Sequence, residues 1–205
     1  MTKKWKNVIK KTTEFSFDPE VPRGRAIGRT RGTDDIQIGL PAWKKTIEYN
    51  KNKTKGKKYL QTEEEIVDEI SNTIGHEYTH IATADEVIEA RKSAFNEMVE
   101  ALKIGNDPTK AIEKYVTVNV MDEMMSRVSH GEMQQNVYLN RAALGKYAPK
   151  NAKRLYGYMV DTGLFDDNKL NSFKQILNEV VPRKYKELVD KFKSKYNIWI
   201  KVFIK

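Results

Sequence analysis

Only three histidines occur in this 205-residue chain, and two of them stand four residues apart in Ile74-Gly75-His76-Glu77-Tyr78-Thr79-His80-Ile81. On a helix this H-E-x-x-H spacing stacks His76 and His80 one turn above the other on a single face. Two imidazoles so placed can hold one zinc ion through ring nitrogens at about 2.0–2.1 Å. Glu77 lies about 100° further round, where its carboxylate can reach a metal-held water rather than the metal. A metal, a water and a carboxylate base are the parts needed to hydrolyse a peptide bond. A surface helix can also carry such residues by chance. The shared register of two histidines out of three, and the well-formed helix start before them, weigh against chance.

The elements that must position these groups can be read around them. Thr62-Glu63-Glu64-Glu65 has the T-x-x-E form of a capping box, with acids at the positive helix end. It predicts a motif helix over Glu63–Ala82. Ile66, Val67, Ile70, Ile74, Tyr78 and Ile81 share one arc of that helix. His76 and His80 lie just beside the arc and Glu77 towards its near edge, so the histidines should line the rim of a core, as a cleft wall does. Thr83-Ala84-Asp85-Glu86 offers a second capping box and predicts a separate helix from Asp85 to about Ile104. Gly105 and Asn106-Asp107-Pro108 should stop it. A further helical pattern begins near Thr109, turns β-branched at Val116–Val120 and resumes over Met121–Leu144. Gly131 within it costs about 1 kcal/mol relative to Ala.

Helices are expected again around Lys150–Val160, Lys169–Val180 and Pro182–Tyr196, and the alternating Ile198–Ile204 predicts a C-terminal strand. Upstream, Pro19, Pro22, Gly24, Gly28 and Gly32 break any periodicity in residues 1–34. The basic, Gly-punctuated Arg23–Arg31 could meet phosphate, but no strand-to-helix P-loop pattern surrounds it. Asp35–Leu40 alternates and reads as a strand. Pro41 opens a short helix over Ala42–Tyr49, and the lysine-rich Asn50–Lys58 reads as an exposed loop.

Composition narrows the setting. With 39% hydrophobic residues the chain can bury a core, and one domain over 1–205 is expected. There is no cysteine, which excludes disulfides and thiolate metal sites. The basic Met1–Lys11 is not followed by an apolar run of signal-peptide length, and no apolar run is long enough for a membrane span. A cytoplasmic protein is the expectation, with leaderless export left open. The net charge of +9 is segregated. Residues 1–60 hold sixteen Lys/Arg against six Asp/Glu, residues 61–145 seven against sixteen, and residues 146–205 fourteen against six. Basic flanks at 1–60 and 146–205 suit nucleic acid, an anionic surface or an acidic protein substrate; a solvated, lysine-rich surface explains them as well.

In its motif helix and, more loosely, in the order of its elements, the chain resembles the zincins, metallopeptidases built around an H-E-x-x-H helix. The resemblance implies an α+β, mainly helical fold with a small sheet packed on that helix, and an edge strand at Ile36–Leu40 that aligns substrate. A catalytic zinc takes three protein ligands and a water, so His76 and His80 need a partner. The glycine and third histidine of the metzincins are missing after His80, which is followed by Ile-Ala-Thr-Ala-Asp-Glu. The site is therefore similar to that of the gluzincins, where a glutamate on a later helix completes the set. Asp122-Glu123-Met124-Met125-Ser126-Arg127 looks like their N-E-x-x-S/A-D pattern, and Asn96-Glu97 matches its first two residues.

If the helix from Asp85 doubles back after Thr83, Glu97 lies on the order of 15 Å from His80. Glu89 would be nearer but has no motif around it. Glu123 is then the expected ligand and Glu97 the runner-up. Arg127 departs from the pattern, which has an acid there to orient a histidine, so another group must do that job. His130, Tyr115 and Tyr138 are candidate donors to an oxyanion, but a structural or surface role accounts for each of them first, and none is counted in the site. The resemblance implies a zinc metallopeptidase acting on protein or peptide, with Glu77 as general base turned acid. The other reading, carried by the basic flanks, is a nucleic-acid-associated zinc protein, or a SprT-like protease of DNA-bound proteins.

Overall fold

The structure is a computed structural model that describes residues 14–17, 28–31, 35–38, 63–128, 139, 142 and 145–203. Its elements, in chain order, are β1 (Glu14–Phe17), β2 (Gly28–Arg31), β3 (Asp35–Ile38), α1 (Glu63–Lys103), α2 (Thr109–Val128), α3 (Ala148–Asp161) and α4 (Asp167–Phe203). The chain divides into two compact units. One comprises Met1–Asp85 with Met125–His130, the other Glu86–Met124 with Gly131–Lys205. The first holds the strands, the histidine-bearing part of α1 and the end of α2. The second holds the larger helical core.

The three strands form a small sheet in the order β1-β3-β2, with β3 parallel to β1 and antiparallel to β2. Phe15 stands opposite Ile36 and Thr30 opposite Ile36 from the other side. The expected strand at Asp35–Leu40 is seen as β3 over Asp35–Ile38, with Gly39 and Leu40 outside the described residues, and it is the central strand of the sheet, not the edge strand that the resemblance implied. The α+β architecture with a sheet packed on the motif helix is overturned all the same. The strands find their partners in one another, and the described fold is mainly helical, with a core contributed by helix residues. The expected helix at Ala42–Tyr49 and the loop at Asn50–Lys58 lie outside the described residues.

In the second unit, Ala94 and Met98 of α1 fall one turn apart on one face and are fully buried. Ile112, Val116 and Val120 repeat at the same spacing on α2. On α3 the stripe is Ala148, Ala152, Leu155 and Met159. The stripe of α4 runs through Leu170, Phe173, Leu177, Val181, Tyr185 and Leu188. The Asn151 amide donates to the Tyr185 hydroxyl at 2.6 Å, so this phenol, buried in the core, is hydrogen-bonded. No helix among the described residues is long and apolar enough to cross a membrane.

Three boundaries expected from the sequence are absent. The break at Thr83-Ala84-Asp85-Glu86 does not occur, and α1 runs unbroken for 41 residues. The Thr83 hydroxyl, which a cap would use to accept a backbone N–H, instead donates to the Thr79 carbonyl at 3.0 Å. The expected end at Gly105 does occur. Gly105 takes φ +74, the Asn106 N–H reaches the Ala101 carbonyl at 2.8 Å and the Gly105 N–H reaches that of Leu102 at 3.4 Å, which is a Schellman stop. At the other end, Pro182 does not divide two helices, and of the strand expected at Ile198–Ile204 the described residues Ile198–Phe203 are helical. α4 continues through both to Phe203. Val180, Val181, Tyr185 and Leu188 are buried on either side of Pro182 while Pro182 itself is exposed, so continuous burial outweighs one missing hydrogen bond.

Candidate metal centre

α1 delivers His76, Glu77 and His80 from within about one turn, as their spacing requires. The arc beside them is buried where it is described: Ile81 is 2% exposed, and Ile74 and Tyr78 are half-buried. Both histidines are half-buried at its edge, and Glu77 turns inward with 8% exposure. Thr79, between them, donates to the Gly75 carbonyl at 3.1 Å, so it consumes its own hydroxyl within the helix and leaves the site to its neighbours.

The imidazoles converge. Their Nε2 atoms are 3.2 Å apart and their rings are nearly perpendicular, at 85° with centroids 4.8 Å apart. Two nitrogens each about 2.0–2.1 Å from one tetrahedral metal would stand about 3.3 Å from each other. The observed separation is therefore that of two ligands of one ion, and it equally suits an N–H···N hydrogen bond that an ion would replace. The donor set is completed by a carboxylate. The ligand atoms of His76, His80 and Glu123 all lie within 4.8 Å of one another, and all three residues are half-buried. This group can hold a metal ion. Two imidazoles and a carboxylate are an ordinary set for a divalent transition metal, zinc included.

Comparison with protein-family models, with characterised proteins and with solved structures returns no match. The site therefore has to be read from its own geometry.

Glu97 does not belong to it. On the unbroken α1 it lies seventeen residues beyond His80, about 25 Å along the axis. It is exposed, and bonds to the Lys114 ammonium and the Ser93 hydroxyl hold its carboxyl below the usual range. Glu89 is likewise exposed and about 13 Å along the same axis. The hairpin that was expected to separate Glu97 from the site is absent, yet the straight helix separates it further.

Around the ligands, Asp122 is buried and is held by the Arg91 guanidinium at 2.9 Å, which fixes the rotation of α2 next to Glu123. Arg127 occupies the position where the gluzincin pattern has an acid. Ser126, fully buried one residue earlier, brings its hydroxyl to 3.2 Å from Nδ1 of His80. That partner was not anticipated from sequence. Its only signal was its place inside the quoted E-x-x-S string, one turn from Glu123. Tyr115 lies in the core of the second unit, where burial raises its phenol above the ordinary value, and it is about 12 Å along α2 from Glu123. His130 and Tyr138 lie outside the described residues.

Proposed function

We propose that the chain is a zinc-dependent peptidase in which His76, His80 and Glu123 hold the metal and Glu77 is the general base. The observation that carries this reading is the convergence of two Nε2 atoms to 3.2 Å from one helical turn, with a Glu123 carboxylate oxygen in the same group. The likeness of Asp122–Arg127 to the gluzincin pattern supports the same assignment. A zinc ion held there supplies Lewis acidity, bringing the pKa of a bound water towards neutrality and polarising the scissile carbonyl.

The chain's own residues do the rest. His76 and His80 offer neutral nitrogen lone pairs, and Glu123 adds one negative charge to the ligand set. Glu77 follows the first ligand directly, is 8% exposed and is not one of the three converging groups, and the reading assigns the proton to its carboxylate. It takes a proton from the attacking water as the new C–O bond forms. It then hands that proton to the leaving nitrogen as the C–N bond breaks, so that the nitrogen departs as a neutral amine and not as an amide anion.

The test combines metal content with hydrolysis of an unstructured protein substrate. Purified protein should carry zinc by elemental analysis. Glu77→Gln should keep the metal and lose about 10²–10⁴-fold in turnover, since an amide cannot accept the proton. His76→Ala and His80→Ala should lose both. Full turnover by Glu77→Gln would remove Glu77 from the mechanism.

A further inference from the structure

We infer that Ser126 is a positioning residue for His80, a neutral hydroxyl doing the work that the gluzincin pattern gives to the acid replaced here by Arg127; this rests on reading His80 as a ligand. A neutral imidazole carries one proton on either of two nitrogens, and only the nitrogen without it can bind a metal. Nε2 of His80 faces Nε2 of His76 at 3.2 Å, so the proton has to sit on Nδ1 for that lone pair to be open. The Ser126 Oγ is 3.2 Å from Nδ1, in a position with no exposed surface. An acceptor there holds the proton on Nδ1 and fixes the ring plane.

The hydroxyl can fill that role and still satisfy its own proton. Thr79, Thr83 and Thr117 each donate to the carbonyl one turn back, a bond that uses the hydroxyl proton and not an oxygen lone pair. Ser126 and Glu123 are three residues apart and so share a face of α2. One helical turn therefore supplies a ligand and the group that orients a second ligand. A hydroxyl does not raise imidazole basicity as a carboxylate does, so Ser126 orients His80 without strengthening it as a donor.

The measurement is the tautomer of His80 in the metal-free full chain, read by nitrogen chemical shifts at a pH well above the ordinary imidazole value of about 6.5. It is paired with the zinc dissociation constant from chelator competition. The wild type should carry its proton on Nδ1. Ser126→Ala should shift population to Nε2–H and weaken zinc binding by about 10- to 100-fold. Ser126→Cys, which keeps the volume and offers a weak acceptor, should follow Ala should the smaller residue fail to fold. Ser126→Thr should restore both values. An unchanged tautomer and dissociation constant in Ala and Cys overturn the proposal and leave the metal reading standing. A shifted tautomer in a protein whose wild type binds no zinc upholds the positioning of His80 and overturns the metal reading instead.

Discussion

At the scale of single residues, the third ligand separates competing carboxylates most sharply. Glu123 shares a 4.8 Å group with both histidines, whereas Glu97 is committed to Lys114 and Ser93 on an exposed face. Glu123→Ala should therefore reduce bound zinc sharply, because two imidazoles and water are left to hold it. Glu97→Ala should leave zinc content near that of the wild type; elemental analysis of both variants checks this. If Glu97→Ala loses the metal and Glu123→Ala keeps it, the assignment is wrong. Much at this scale was legible in the sequence. The i,i+4 histidines and the following glutamate announce their geometry, and Glu123 stands in a recognisable string. Ser126 did not announce itself, because a serine gains its meaning only when a ring nitrogen from another helix comes within reach.

At the scale of elements, the sequence was most reliable where backbone conformation is forced. Gly105 at φ +74 ends α1 where the glycine implied, and nothing lies within 4 Å of a Cβ added there. Gly105→Ala should then cost about 1–2 kcal/mol of stability from the left-handed backbone alone, read as a lower urea midpoint with unchanged slope. The capping strings divided: α1 starts at Glu63 as Thr62–Glu65 predicted, whereas Thr83 bonds back to the previous turn and caps no new helix. β-branched alternation misled at Ile198–Ile204, where the propensity difference against helix is at most about 0.7 kcal/mol per residue.

The start of α2 gives a pH prediction. Asp107 accepts from the Thr109 hydroxyl at 2.7 Å and the Thr109 N–H at 3.0 Å, and these bonds hold its carboxyl below the ordinary aspartate value. Its folded value is depressed, so its contribution is full above about pH 3.9, the ordinary aspartate value. It is lost as the pH falls through the folded value. The stability gap between the wild type and Asp107→Ala should be constant near neutrality and close on the acid side. A gap that persists at the lowest pH would mean that the carboxylate charge is not what matters.

At the scale of the whole molecule, the segregated charge poses the choice between two kinds of partner. The acidic middle, residues 61–145, contains all the proposed ligands, while the +10 and +8 flanks lie outside it. Zinc binding to the folded chain alone should raise the melting temperature, by the equivalent of about 2.7 kcal/mol at a hundredfold excess over the dissociation constant. That holds whether the chain cuts peptides or serves nucleic acid, so it cannot separate the two. Salt can. A protein that neutralises several phosphates loses about 10³–10⁵ in affinity between 50 and 200 mM salt, whereas lysines that merely solvate the surface give weak, non-saturating binding. For a peptidase whose flanks are a solvated surface, fluorescence anisotropy with double- and single-stranded DNA should show no steep logarithmic slope. Hydrolysis of a neutral peptide should be nearly independent of salt over the same range. A steep slope accompanied by hydrolysis confined to DNA-bound proteins would instead put the basic flanks at the centre of the function and the zinc chemistry in their service.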